Sequence, residues 1–400
     1  MYDIASNIKK HRLYADFLKV KKKLAEHQFV CWIAGGAVRD FCLNCEVNEF
    51  DLVTDATTEV LKLLFPQAIL VGESFGVLKI PITSHKTKSE FFDLTTFRQE
   101  SDYLDGRRPS HIEAATPVKD SERRDFTVNA LFWDDVHNII HDYAGGLFDL
   151  QNKSLMCVGD PEVRFTEDYL RIIRLVRFAV VLNFKIEPNT NAAALKYSHK
   201  INQISGERVW SELLKISKTF GVKFAIDQAI DQAIDQKLFL TLLEEIFETS
   251  EININLKSAV DIFLFIYQLN PDLDFSKTLK KRLKVSNQEL AIYNSIRFVM
   301  SSVAKLSVEE LAFELEKNLL YANQFKLLVE FGLISETINQ NVKNILDNCP
   351  APLVVAKDLL GLIPDRIISV ELKYLRIVQF KGTYKSKLEM LDYLKKKYAN

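Results

Sequence analysis

The sequence predicts an α+β fold: a mixed-sheet domain with helices over residues 1–150, then an all-helical remainder. Three observations carry that expectation. Apolar runs between residues 31 and 143 have the length of strands and are punctuated by Gly35-Gly36, Gly106 and Gly145-Gly146. From Pro161 onward the apolar residues recur at the spacing of one helix face. Four hundred residues also exceed what one core organises.

Hydrophobic content of 48% and charged content of 26% are those of a globular protein. No uninterrupted apolar run approaches the roughly 20 residues of a membrane helix. The opening MYDIASNIKKHRLY lacks the apolar stretch of a signal peptide, so the cytoplasm is the expected location. Lys and Arg number 52 against 53 Asp and Glu, so any phosphate-binding surface must be a local patch. Of five scattered cysteines, Cys42 and Cys45 form a CxxC without a second pair, and read as incidental thiols. The seven histidines form no His-Asp cluster, so no fused phosphohydrolase is expected.

Taken in order, Ile8, Leu13, Phe17, Leu18 and Leu24 predict helix within residues 1–30, with Lys19 and Lys21 to Lys23 facing water. Residues 31–34 read as a buried strand, and a second strand-like run carries Glu49-Phe50-Asp51. A helix follows over 58–65, capped by Thr57 or Thr58, with Pro66 beyond it. Strands are expected over 68–71, 76–81 and 91–98. Residues 99–113 are polar and read as a mobile loop with Asp105, Gly106, Arg107 and Arg108 at its tip. A helix is expected within 120–130, a hairpin over 131–143 and a turn over 145–150. Amphipathic helices are expected over 167–179 and 204–216, with Ser205 as a cap. Residues 225–236 repeat AIDQ three times and read as a packing helix, and Pro271, Pro350, Pro352 and Pro364 mark later breaks. Lys277, Lys280, Lys281, Arg282 and Lys284, and separately Lys395 to Lys397, read first as solvated faces and second as surfaces able to follow an RNA backbone.

The chemistry concentrates in CWIAGGAVRDFCLNCEVNEFDLVT, residues 31–54. A strand breaking into two glycines lets backbone N–H groups approach a phosphate, because no Cβ intervenes. Residues i and i+2 of a strand share a face, so Glu49 and Asp51 would stand side by side. Two adjacent carboxylates are costly unless a cation lies between them. Asp93, in a later strand, is placed to join them. Together these features read as a metal-dependent site for a nucleoside triphosphate. Two further stretches bear on it. Arg123-Arg124-Asp125 with Asn129 places a basic pair beside an Asp/Asn pair four residues apart. In EDYLRIIRLVRFA, residues 167–179, Asp168 lies three residues from Arg171, a pairing able to imitate a base edge.

In this order the stretches resemble the class II tRNA nucleotidyltransferases and the related bacterial poly(A) polymerases, within the polymerase-β-like superfamily. The resemblance covers residues 30–215 nearly without gaps. It runs through Gly35-Gly36-Ala37-Val38-Arg39-Asp40 with Glu49-Phe50-Asp51, then Phe97-Arg98 with Asp105 to Pro109 as the flexible loop. It continues through Arg123 to Ala130, Gly145-Gly146 with Asp149-Leu150, Glu167-Asp168 with Arg171, Arg174 and Arg177-Phe178, and Glu207-Arg208 with Glu212-Leu213. Beyond residue 220 it extends only to an all-helical body and tail.

The resemblance implies a nucleotidyltransferase head (palm) at 1–150, a nucleotide-selecting neck at 151–220 and a tRNA-binding body and tail at 221–400. It implies template-independent addition of C, C and A from CTP and ATP to the tRNA 3′ end. Gly35, Gly36 and Arg39 would hold the triphosphate; Glu49 and Asp51 would bind Mg²⁺ or Mn²⁺, with Asp93 as the third acid. Arg124, Asp125 and Asn129 would touch sugar and phosphates, and Asp168 and Arg171 would read the base with support from Arg174 and Arg177. The family has Asp where this chain has Glu49, a side chain about 1.3 Å longer; an altered metal preference is expected. Leu43-Asn44 replaces the family's Leu-Gly and is expected to alter only a turn. An A-adding enzyme, a poly(A) polymerase and an inactive RNA-binding relative stay open as alternatives.

Overall fold

The computed structural model describes residues 4–71, 76–82, 90–103, 109–220, a few positions between 241 and 270, and then 272–330, 332–384 and 386–398. The AIDQ repeat and the loop tip Asp105, Gly106, Arg107 and Arg108 lie outside the described residues. The chain divides into two compact units, Met1–Ile252 and Asn253–Asn400.

The first unit opens with α1 (Ala5–Lys10) and α2 (Tyr14–Ala25), so the expected helix is broken at His11, whose ring Nε2–H donates to Val47 O at 2.9 Å. Then come β1 (Trp32–Ala34), α3 (Gly36–Cys42), β2 (Asp51–Thr54) and α4 (Thr58–Leu64). Thr57 caps α4 by accepting from Val60 N–H. β3 (Ile69–Val71), β4 (Val77–Ile82) and β5 (Glu90–Thr96) follow. Later come β6 (Arg98–Tyr103), β7 (Pro109–Ala114), α5 (Pro117–Glu122), β8 (Leu131–Asp134) and β9 (Ile139–Asp142). Seven strands form one mixed sheet in the order β3-β4-β5-β2-β1-β8-β9. Only β2 and β5 are parallel within it, and their register sets Asp51 opposite Asp93. The completely buried Ile33, Leu52, Leu94 and Phe132 show how apolar the strands' inner positions are.

Several expectations change. Glu49 precedes β2 rather than lying in it, because β1 is three residues long and its ladder ends at Ala34 opposite Asp51. Residues 99–113 are not an open loop: β6 and β7 pair as a separate two-stranded sheet, and a ladder satisfying its own backbone needs no apolar pattern. Residues 120–130 are not one helix. After α5 the chain extends, Phe126 bridges Cys157, Thr127 N–H donates to Met156 O at 3.0 Å, and a 3₁₀ turn covers Thr127–Asn129. Tertiary hydrogen bonds outweigh local helix preference there. The expected turn at 145–150 is α6 (Gly146–Asn152), whose first N–H groups are capped by Asp142 at 2.9 Å. The helix expected over 167–179 is two, α7 (Pro161–Glu167) and α8 (Leu170–Leu182), parted at Asp168, whose side chain accepts from Leu170 N–H at 3.1 Å. α9 (Pro188–Tyr197) and α10 (Gly206–Phe220) follow in this unit. The run after Pro161 is not wholly helical, since Lys185–Ile186 pairs with Ser154–Leu155.

The described part of the second unit is largely helical. Ser286 with Glu289 and Ser307 with Glu310 form capping boxes on Asn287–Lys305 and Val308–Lys317. Leu359, Leu375, Met390 and Leu394 form a buried cluster, and Arg376 pairs with Glu316. Lys280, Lys281 and Arg282 lie on a π-helical turn, Thr278–Arg282, with Lys277 immediately before it. Lys397 is not a free solvated charge: its ammonium lies 2.8 Å from Glu371 and against the rings of Tyr374, Tyr393 and Tyr398.

One contact tests the junction of α6 with the site segment. A Cβ on Gly146 would stand 2.2 Å from Thr127 O, whereas one on Gly145 would meet nothing within 4 Å. Gly146→Ala is expected to lower unfolding free energy by about 1–3 kcal/mol in urea titration. Gly145→Ala, at φ +81°, should cost only backbone strain of about 1 kcal/mol.

Candidate nucleotide-binding and catalytic site

The sheet's end, α3, the 123–129 segment, α8 and α10 surround one cavity of about 820 Å³. Glu49, Asp51, Asp93, Gly35, Gly36, Arg39, Arg124, Asp125, Asn129, Asp168, Arg171, Arg174 and Arg177 all line it. So do Arg98, Arg123, Arg208 and Lys215, which the sequence did not single out as site residues. Nine Arg or Lys side chains face five Asp or Glu. This is the local basic patch that a chain of net charge −1 requires in order to hold a polyanion.

The acidic edge comes from strand register. Asp51 and Asp93 are direct partners across the parallel β2–β5 pair, so both side chains leave the same face about 4.8 Å apart in strand spacing. Asp51 reaches the cavity water but is hemmed in by protein. That crowding, then the charge of Glu49, pushes its carboxyl up to about 6; Asp93 adds to the shift while Arg124 and Lys79 oppose it. Asp93 pairs with Lys79 at 2.7 Å, its register partner on β4. Among the described residues no three His, Cys, Asp or Glu side chains converge as a metal-holding group, and the Asp93 carboxylate accepts from Lys79 Nζ.

Arginines are held by buried acids. Gly35, at φ +67°, turns β1 into α3, and a Cβ there would lie 2.9 Å from Arg124 Nη1. The absent side chain lets Arg124 cross the turn and donate to Asn129 O at 3.0 Å. Asp40 takes Arg39 Nε and Nη2 at 2.8 and 2.9 Å, and Arg39 Nη1 donates to Asn129 Oδ1 at 2.6 Å. Asn129 Nδ2 donates to Asp125 Oδ1 at 3.0 Å, and Arg174 donates twice to Asp125 Oδ2. Burial alone would raise the Asp125 carboxyl; the Arg174 guanidinium and the Asn129 bond outweigh it and hold it at about 2. Asp120, fully buried, receives Arg123 and Arg124 together with the Arg98 backbone N–H. Its carboxyl lies below the usual range because those guanidiniums overcome burial. Phe178 carries three cations, with Arg177, Arg39 and Arg174 at 3.9, 5.1 and 5.3 Å from its centre. Arg177 is also paired to Glu212 on α10 at 2.5 Å.

One expected pairing is replaced. Asp168 does not bond Arg171 through its side chain. It receives Arg208 on both oxygens, at 3.2 and 2.7 Å. Arg171 donates instead to Glu167, Arg164 O and Arg123 O. The spacing of three implied a pair only while residues 167–179 were one helix; the break at Asp168 redirects the carboxylate. Asp120, Asp40 and Glu212 also went unnoticed as supports; each is an acid within four residues of a cavity arginine or across from one, a pattern too common to stand out in sequence.

Asp125→Asn measures the network. A carboxyl held below its ordinary value stabilises the fold fully above about pH 4 and loses that contribution as pH falls toward about 2. The variant should therefore be less stable by about 2 kcal/mol at neutral pH. The gap to wild type in chemical denaturation should narrow below about pH 4.

The family description "Poly A polymerase head domain" matches residues 31–156, and "Probable RNA and SrmB- binding site of polymerase A" matches residues 183–219. A CCA-adding enzyme of Lactococcus lactis is 42% identical over 198 residues, 49% of this chain and 48% of that protein. The alignment thus spans about half the length of that relative. A CCA-adding enzyme of Staphylococcus epidermidis is 30% identical over 301 residues, 75% of this chain and 72% of its own length. The solved Bacillus stearothermophilus CCA-adding enzyme in complex with CTP superposes with a TM-score of 0.71 over 97% of this chain and 98% of that one, at 21% identity, and so has the same fold. With the mixed-sheet head, the site geometry and a relative matched over most of its length, the chain belongs to the CCA-adding enzyme family.

Proposed function

We propose that this protein adds C, C and A from CTP and ATP to the 3′ end of tRNA without a template, in the cytoplasm. The observation that carries the reading is the facing pair Asp51 and Asp93, set by strand register at the foot of a cavity walled by buried-acid-held arginines. The first 150 residues act as the nucleotidyltransferase head, 151–220 as the nucleotide-selecting neck, and 221–400 as the tRNA-binding body and tail.

The carboxylates fit a divalent cation. Their donors are hard oxygens, suited to Mg²⁺ or Mn²⁺. Burial first, and then the charge of Glu49, raises the Asp51 carboxyl against the opposing charges of Arg124 and Lys79, and a bound cation would relieve that cost. Glu49 and Asp51 would hold the ion, which when bound neutralises charge developing on the phosphates. The remaining work falls to side chains of this chain. Arg39 and Arg124, fixed by Asp40 and Asp120, bind the triphosphate and favour the departing pyrophosphate as the tRNA 3′-hydroxyl attacks the α-phosphate. Asn129 and Asp125 orient the sugar side, with Arg174 held by Asp125. Asp168 offers acceptors to the amino group of cytosine or adenine, while Arg171, Arg174 and Arg177 frame that wall.

Purified protein given a tRNA lacking its CCA end, with CTP and ATP singly and together, should add C, C, A and stop. A long A tail would indicate a poly(A) polymerase, A only onto a CC end an A-adder, and silence an inactive RNA binder. Asp51→Ala should reduce incorporation to background without loss of fold. Glu49→Asp shortens the side chain toward the family's residue, and Mg²⁺ and Mn²⁺ titrations should show a changed ratio of activities between the two ions. Identical ratios in wild type and variant would count against a metal role for Glu49.

A further inference from the structure

We propose that Arg208, on α10, is a specificity-determining positioning residue: it fixes the plane of the Asp168 carboxylate at the cavity wall and so sets how sharply the incoming base is read. The proposal rests on the reading of this cavity as a CTP and ATP site.

Asp168 stands at the break between α7 and α8, with extended backbone, so no helix restrains its side chain. Three donors do so instead. Leu170 N–H and Arg208 Nη1 meet Oδ1 at 3.1 and 3.2 Å, and Arg208 Nη2 meets Oδ2 at 2.7 Å. A guanidinium fork on both oxygens fixes a carboxylate in rotation as well as position. Both side chains line the cavity, with Asp168 18% and Arg208 25% exposed. Arg171 cannot take this part while it donates to Glu167, Arg164 O and Arg123 O, and it is 92% shielded, being 8% exposed.

The chemistry assigns a consequence. Cytosine and adenine present an amino donor where uracil and guanine present a carbonyl oxygen. A carboxylate held in the base plane accepts from the first pair and repels the second. A carboxylate free to rotate accepts less well and repels less, so discrimination falls before the phosphate machinery is touched.

The experiment compares wild type, Arg208→Gln, Arg208→Lys, Asp168→Asn and the Arg208→Gln/Asp168→Asn double variant in the full chain. The readout is the ratio of kcat/KM for CTP over UTP, and ATP over GTP, on tRNA substrates, with thermal unfolding measured alongside. Arg208→Gln is expected to lower the ratio roughly tenfold, mainly through KM for the correct nucleotide. Arg208→Lys, a point charge without the fork, should fall between. The double variant should be no less selective than Asp168→Asn alone, because Arg208 acts through Asp168. A ratio within about twofold of wild type in Arg208→Gln, or losses that add in the double variant, would overturn the proposal. Should Arg208→Gln fail to fold, Arg208→Lys decides it: reduced discrimination at unchanged unfolding temperature supports the role, and full discrimination refutes it. A wild type that incorporates nothing overturns the transfer reading itself, and this proposal with it; an active wild type with a selective Arg208→Gln overturns this proposal alone.

Discussion

Two aspartates face one another across neighbouring strands, and the site is arranged around that repulsion. Asp51 opposite Asp93 follows from the single parallel pairing in an otherwise antiparallel sheet. Burial moves Asp51 toward the protonated form first, and the like charges of Glu49 and then Asp93 push it the same way. Lys79 offsets one member of the pair and leaves the other with Glu49. The cavity therefore keeps a localised negative edge within a basic surround, the condition under which a cation and a polyphosphate bind together.

The arginines are arranged by the opposite means. Three are tied to acids themselves removed from water: Arg124 to Asp120, Arg174 to Asp125 and Arg177 to Glu212. Such pairs contribute modest net stability, since burial of both charges offsets much of the attraction. Their benefit is fixed geometry, because a guanidinium held in place needs little reordering when a phosphate arrives. Phe178 gathers Arg39 from α3 with Arg174 and Arg177 from α8, linking the sheet's end to the following helices.

Much of this was legible in the sequence. The strands at 31–34, 68–71 and 91–98, the α4 cap at Thr57 and the hairpin at 131–143 appear within a few residues of expectation. The expected lining residues among those described also gather in one cavity, because strand-edge carboxylates and the glycine pair are local features. What the sequence obscured depends on distant partners. The start of β2 only after Glu49 is set by the shortness of β1, and the extended stretch at Phe126 by hydrogen bonds to residues 156–158. The bond from Arg208 to Asp168 spans 40 residues, beyond the reach of helical spacing. Helical spacing cannot report a contact across two helices.

Binding of Mn²⁺ to the full chain with CTP present, followed by electron paramagnetic resonance, tests the central claim most directly. Wild type should bind the ion with CTP-enhanced affinity, and Asp51→Asn should lose that binding while remaining folded. Equal Mn²⁺ binding by the two proteins would mean that Asp51 does not hold the ion, and the account of the site would be wrong.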